Sequence, residues 1–244
     1  MEFVYATEFP VTTAHVDCFG LCKPSGLLRF VQDAAEEHCL RLGADWESMA
    51  KKHYFWAVVR QRIEVTRYPA AGETVTVKTW PMPTTKVAYP RAAEGFDEAG
   101  NSLFKVISIW AIVNTDTRTM VLPGKSGVEV LGTVLGTELK APGSLHGSQY
   151  DHTCLRTVSY SDLDRNFHMN NTRYLDWVCD LLPSDFHKNH PVKAATICYH
   201  NEALEGQQLS LCWTGEEVFR VDGSVSETDA PAGHTRIFSA EVEF

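Results

Sequence analysis

Positive charge is scarce in this chain. Lys and Arg total 22 against 31 Asp and Glu in 244 residues, a formal net charge of -9, which argues against a nucleic-acid binder and makes any acidic partner depend on a local basic patch. Long apolar runs are missing too. No stretch approaches the ~20 residues of a membrane-spanning helix, and the opening Met-Glu-Phe-Val-Tyr-Ala-Thr-Glu-Phe-Pro has no basic segment followed by an apolar one, so a cytoplasmic protein with no targeting segment is expected. The cysteines form no recognisable framework: seven scattered residues, an odd number, fit a reducing compartment better than disulfide pairing. There is no glycine-rich phosphate loop and no Gly-x-Ser-x-Gly elbow. His187-Lys-Asn-His190 comes nearest to a metal motif but lacks further ligands at suitable spacing, so neither a metal nor a bound cofactor is expected.

What is present is a substantial core, with 44% hydrophobic residues, enough for one large domain or two small ones. Phe3 to Val16 reads as a first strand, turned near Pro10. Pro24-Ser25-Gly26 opens a helix with Leu28, Val31 and Ala35 on one face and Leu27, Phe30 and Ala34 widening it, and Gly43 stops it. A short helical piece spans 46–51, and strands follow over 55–68, 74–80, 89–96 and 102–114, with a turn at Glu98-Ala-Gly-Asn101. Glycine and proline then concentrate in 123–150, a connecting segment with room for a short helix. Beyond it come a strand over 154–159, a helix from Asn170 to Leu182 ended by Pro183, and strands over 192–204, 208–215, 218–226 and 235–244.

Strand, helix and four strands thus occur twice, with Val16-Asp17 lining up with Ser161-Asp162 at a separation of 145 residues. That period implies duplication of a whole domain. The expected architecture is α+β: an N-terminal module over 1–122, a linker over 123–150 and a C-terminal module over 151–244. The two copies could pack as a homodimer would, and a homodimer of the whole chain is left open.

The chemistry concentrates in Tyr160 to Trp177. Asp162, Asp164, Asn166 and His168 recur at every second residue, a period that places side chains on one side of an extended segment. They combine carboxylate, amide and imidazole, groups that orient, polarise and transfer protons. Asn170 or Asn171 can cap the helix that follows, whose first-turn amides and positive dipole end favour an oxyanion. Residue by residue, Asx turns, a cap and a packed histidine would account for the same groups; the constellation favours a site.

The run Asp162-Leu-Asp-Arg-Asn-Phe-His-Met-Asn-Asn-Thr-Arg-Tyr-Leu-Asp-Trp177 resembles the catalytic motif of acyl-acyl carrier protein thioesterases, in which two hotdog modules are fused in one chain. Gln32-Asp-Ala-Ala35, Trp56-Ala-Val-Val-Arg60, Arg67-Tyr-Pro69, Gly72-Glu73 and Thr79-Trp-Pro81 resemble that family's N-terminal half, so the resemblance covers nearly the entire chain. It implies two tandem hotdog modules, each a long central helix wrapped by an antiparallel sheet, with the acyl chain held mainly by the first. Leu28, Val31, Trp56, Val58 and Trp110 are candidates for that lining. The implied substrate is a fatty acyl thioester on acyl carrier protein, which brings its own phosphopantetheine.

The resemblance carries the catalytic roles to Asp164, Asn166, His168 and Glu202. The family's Arg-Arg-Glu-Cys is His200-Asn201-Glu202-Ala203 here, so the thiol a papain-like scheme needs is absent at that position. Cys179 and Cys198 remain the other thiols to weigh. The expected chemistry is water attack with Glu202 as base, or attack by Asp164 through an anhydride. Lys51-Lys52, Arg60, Arg62 and Arg67 are candidate docking cations for an acidic carrier. Related readings are an acyl-CoA thioesterase, a 3-hydroxyacyl dehydratase using a His and acid pair, and a non-catalytic acyl-binding protein.

Overall fold

The computed structural model describes residues 3–215, 218–225 and 235–244. The chain divides into two compact units, Met1–Pro142 and Gly143–Phe244. The first is built on α1 (Pro24–Leu42), which starts with proline at its first turn and ends at Gly43. Gly43 has a φ of 68°, a left-handed conformation that glycine adopts without penalty. Leu27, Leu28, Phe30, Val31, Ala34 and Ala35 are all buried along this helix, as their spacing predicts. Around it lies an antiparallel sheet in the order β1 (Tyr5–Pro10), β3 (Thr74–Pro81), β4 (Tyr89–Phe96), β5 (Ser102–Asn114), β2 (Tyr54–Val65), with β6 (Met120–Val121) paired to β5. The short helix α2 (Trp46–Ala50) is capped by Asp45, whose carboxylate accepts from the amides of Glu47 and Ser48.

The second unit has an antiparallel sheet in the order β8 (Ala194–Tyr199), β11 (Arg236–Glu243), β10 (Val218–Val225), β9 (Gln208–Thr214), β7 (His152–Thr157). Its helix α4 (Arg173–Cys179) is seven residues long, shorter than the span expected from Asn170 to Leu182. At its end the amides of Leu181 and Leu182 bond three residues back, to Val178 and Cys179, tightening the chain into a turn before Pro183 and α5 (Ser184–Asn189). Strand β8 also stops early, at Tyr199 rather than Leu204, because the amides of His200 and Asn201 both donate to the Ile237 carbonyl and break the register. Ser226, expected as the last residue of a strand, lies outside the described residues.

The segment 123–150 contains one turn of helix, α3 (Pro123–Ser126), and otherwise packs irregularly on both units. Its first part lies on the N-terminal unit, where Trp80 Nε1 donates to Glu138 and Tyr89 bonds the Val128 carbonyl. From Gly143 onward it lies on the C-terminal unit, where Cys198 Sγ contacts the Gly143 carbonyl at 3.7 Å.

Both units contain the same local construction, which fixes the register of the duplication. Val16 bridges Cys22 as Leu163 bridges Met169, and Leu21 bridges Ala70 as His168 bridges Leu204. The amide of Val11 donates to Glu73 as that of Val158 does to Gln207, and Cys22 to Pro69 as Met169 does to Ala203. Asp17 therefore corresponds to Asp164, 147 residues on, and not to Asp162. The sequence alignment on Asp162 was two residues out of register because a bare Asp match ignored the turn that Asp17 starts. In each sheet a fully buried phenylalanine also lies over a glycine of the adjacent strand, Phe104 over Gly95 and Phe238 over Gly223.

Candidate active site

The stretch around His168 is not extended. Tyr160–Asp162 forms a 3-10 turn, and Asp164 to His168 closes a tight hairpin in which the Asp164 amide donates to the His168 carbonyl at 2.9 Å and the Phe167 amide to the Asp164 carbonyl at 3.1 Å. The period-two pattern thus misleads: the turn, not a pleated strand, sets where these side chains go. Asp164 Oδ1 accepts from the Asn166 amide at 2.7 Å, leaving Oδ2 facing back across the hairpin toward His168.

Glu202 reaches the same imidazole from 34 residues further along. It stands three residues past the end of β8, outside any strand, and the Met169–Ala203 backbone bond and the His168–Leu204 bridge hold its segment against the hairpin. His168 Nδ1 lies 3.6 Å from Asp164 Oδ2 and Nε2 lies 3.9 Å from Glu202 Oε1. Both distances exceed an ordinary hydrogen bond but fall within ion-pair range. The imidazole therefore stands between two carboxylates, one per nitrogen. The side chains of His168 and Asp164 are 14% and 17% exposed against 36% for Glu202, so Glu202 is the member that meets solvent.

The remaining residues sort into different roles. Asp162 is structural: buried, it closes a capping box with Ser159 and accepts from Arg173 and from the Trp177 indole at 3.2 Å. Neither Asn170 nor Asn171 is the cap expected of it: the N-cap of α4 is Thr172, without a side-chain cap bond, and the Asn170 side-chain oxygen closes a turn ahead of the helix, accepting from the Thr172 amide at 2.9 Å and hydroxyl at 2.7 Å. The Asn171 carbonyl accepts from the Tyr199 hydroxyl. Ala203 is fully buried, and burial with Asp176 and Asp180 nearby pushes the Cys179 thiol up to about 12, far from a thiolate nucleophile at neutral pH. Cys198 is buried as well. His187 bonds the Cys179 carbonyl and His190 stacks on Phe186.

The N-terminal copy retains the backbone of this site without its chemistry. At the positions of Asn166, His168 and Glu202 it has Phe19, Leu21 and Tyr68, and only the aspartate is kept, as Asp17. The same register singles out a further residue of α4. Tyr174 stands where the first copy has Leu27, and both are buried. Its ring packs edge-on against Tyr199 and Phe238. Burial raises the pKa of the phenol well above its ordinary value, the carboxylates of Asp164 and Glu202 raise it further, and a hydrogen bond from the Ala203 amide opposes them. A phenol that feels the charge of Asp164 and Glu202 thus occurs in the copy that has the histidine and is replaced by leucine in the other.

Phe167 is a residue that pattern reading passed over. Its φ is 64°, a left-handed conformation that costs a residue with a β-carbon roughly 1–2 kcal/mol, and its ring is 80% exposed.

Among the expected docking cations, Arg67 is held by a two-pronged pair with Glu73, and Arg62 pairs with Glu64. Arg60 donates to the Pro142 carbonyl and Lys52 to that of Gly127. Of the candidate lining, Leu28, Val31 and Val58 are buried, while Trp56 and Trp110 are partly buried against the cluster of Met49, Tyr89 and Ile112.

Comparison with known proteins bears on the family and the fold. Among curated sequences the chain is 28% identical over 217 residues to the chloroplastic palmitoyl-acyl carrier protein thioesterase of Gossypium hirsutum, covering 82% of this chain and 52% of that protein. It is 24% identical over 251 residues to oleoyl-acyl carrier protein thioesterase 1 of Arabidopsis thaliana, covering 94% and 68%. It spans about half the length of the first of these relatives. The fold superimposes on an acyl-ACP thioesterase from Bacteroides thetaiotaomicron with a TM-score of 0.84 at 24% identity, covering 99% and 97% of the two chains. It also superimposes on a 12:0-ACP thioesterase from Umbellularia californica with a TM-score of 0.81 at 22% identity, covering 100% and 97%. These are double-hotdog α+β folds, as expected. Residues 2–122 match the acyl-ACP thioesterase N-terminal domain and residues 148–237 its C-terminal domain, and the chain belongs to the acyl-ACP thioesterase family.

Proposed function

We propose that this protein hydrolyses fatty acyl-acyl carrier protein to free fatty acid and carrier thiol, with the reaction centred on His168. The observation that carries the reading is the imidazole between Asp164 and Glu202, a pairing that only the C-terminal copy has. Asp164 orients the ring through Nδ1. Glu202, the most exposed of the three, takes a proton from a water that attacks the thioester carbonyl. Asn166 donates to the developing oxyanion. Asn170 and Asn171 contribute by fixing the chain that enters α4. As the carbon–sulfur bond breaks, the proton that Glu202 took from water passes through His168 to the departing sulfur, which returns both groups to their starting state. Direct attack by Asp164 is less favoured in this reading, because one of its oxygens is held by the Asn166 amide.

The N-terminal module holds the acyl chain, and the divisions at 122 and 150 separate the binding and catalytic modules. Lys51, Lys52 and Arg60 are the docking cations this reading retains, since Arg62 and Arg67 are paired with carboxylates within the fold. The test is release of free thiol from one acyl group presented on acyl carrier protein and on coenzyme A, over several chain lengths. Turnover at least tenfold faster on the carrier protein is expected. Faster turnover on coenzyme A would make the protein an acyl-CoA thioesterase, and binding without thiol release would make it a non-catalytic acyl binder.

A further inference from the structure

Among the described residues one five-residue turn occurs three times, and of these three the turn at the site departs from the glycine rule. In Asp17–Leu21, Asp97–Asn101 and Asp164–His168 the first amide donates to the last carbonyl, at 2.8, 3.0 and 2.9 Å, and the fourth amide to the first carbonyl, at 3.1, 2.9 and 3.1 Å. In each the aspartate side chain also accepts from the third amide. The fourth residue must adopt positive φ. It is glycine in two turns, Gly20 at 80° and Gly100 at 83°, and Phe167 at 64° in the third. Glycine is the unstrained choice, and a ring that is 80% exposed adds little to the core in return. Strain held at a functional site calls for a function of the side chain.

We propose that Phe167 is a substrate-binding residue whose ring packs against the pantetheine arm of the thioester substrate, beyond its first amide. This rests on the thioesterase reading above. Phe167 belongs to the hairpin that carries Asp164 and His168, and its exposed ring stands on the solvent side of that turn. An acyl chain needs burial, which an exposed ring does not provide. The arm leads from the sulfur toward solvent and alternates planar amides with pairs of methylenes, which suits the face of an aromatic ring. Carrier protein and coenzyme A share this arm, so the same contact serves both.

The test compares wild type, Phe167→Gly and Phe167→Leu on S-acyl-pantetheine, acyl-carrier protein and S-acyl-N-acetylcysteamine with one acyl group. The expected result for Phe167→Gly is a KM raised about tenfold on the first two substrates, less than threefold on the truncated one, kcat within about twofold, and partial recovery in Phe167→Leu. Its Tm is expected to stay level or rise by a few degrees, because glycine relieves the turn. Unchanged KM on S-acyl-pantetheine overturns the proposal, as does a loss seen with carrier protein alone, which would place the ring against the carrier surface. Calorimetric binding of the non-hydrolysable S-dodecyl-pantetheine separates the two readings. Binding that Phe167→Gly weakens, in a protein that hydrolyses nothing, would sink the activity and keep the arm contact. Equal binding by both would sink the contact alone.

Discussion

Replacing Glu202 by Gln keeps the shape of the side chain and removes its charge, which isolates the role of the second carboxylate. At 3.9 Å from His168 Nε2, a unit charge interacts with an imidazolium by about 4 kcal/mol at an effective dielectric of ~20. Glu202 is 36% exposed, so solvent screening reduces this to about 2 kcal/mol, or roughly 30-fold in rate. That is the loss expected if Glu202 acts only as a fixed charge. A general base contributes roughly 10²–10⁴-fold, so kcat for thiol release is expected to fall by more than about 300-fold, with KM little changed and Tm preserved. The assay is continuous detection of free thiol on acyl-carrier protein, beside a melting curve for each variant. A fall near 30-fold would reassign Glu202 to electrostatic support of His168. A fall of less than about threefold with an intact fold would refute the reasoning from the carboxylate–imidazole–carboxylate arrangement altogether.

Tyr174→Phe keeps the ring contacts with Tyr199 and Phe238 and deletes the hydroxyl near Asp164 and Glu202; kcat is expected to drop about tenfold in the wild-type background and much less in Glu202→Gln, and fully multiplicative losses would argue against coupling. Gly223→Ala places a β-carbon 2.2 Å from the buried Phe238 ring, overpacking that costs about 1–3 kcal/mol, so a Tm lower by several degrees is expected and an unchanged Tm would show that the ring can shift. His200 has its pKa lowered by burial first and by Arg236 second, so the unfolded chain binds its proton more readily. Its contribution is present above the ordinary value of 6.5 and declines as pH falls below it. Melting curves from pH 7.5 to 5 are therefore expected to show a shallower decline for His200→Asn than for wild type, and parallel curves would count against this assignment.

Much of the fold can be read from local patterns because local physics sets it. Pro24 and Gly43 bound α1 on steric grounds alone, and β4 and β5 are divided by the turn residues Asp97–Asn101. The lengths of β8 and α4 escaped that reading. The first is cut short by a shared carbonyl on β11 and the second by a turn before Pro183. Asp162 looked like a member of the site by its spacing, yet its partners Arg173 and Trp177 lie 11 and 15 residues away, and a period of two cannot report on them.

The sequence by itself determined the residue types and the duplicated order: two α+β copies, one of them supplied with Asp164, Asn166, His168 and Glu202. Only the tertiary structure decided how these meet. A hairpin turns Asp164 back onto His168, and a backbone bridge to Leu204 brings Glu202 to the other ring nitrogen. It also decided the register of the duplication, and with it that Tyr174 replaces a leucine and that Phe167 stands where the same turn elsewhere has glycine. The physical reason is that backbone hydrogen bonds between distant segments fix side-chain geometry, while periodicity along the chain records only which face a residue would take if its neighbours were regular.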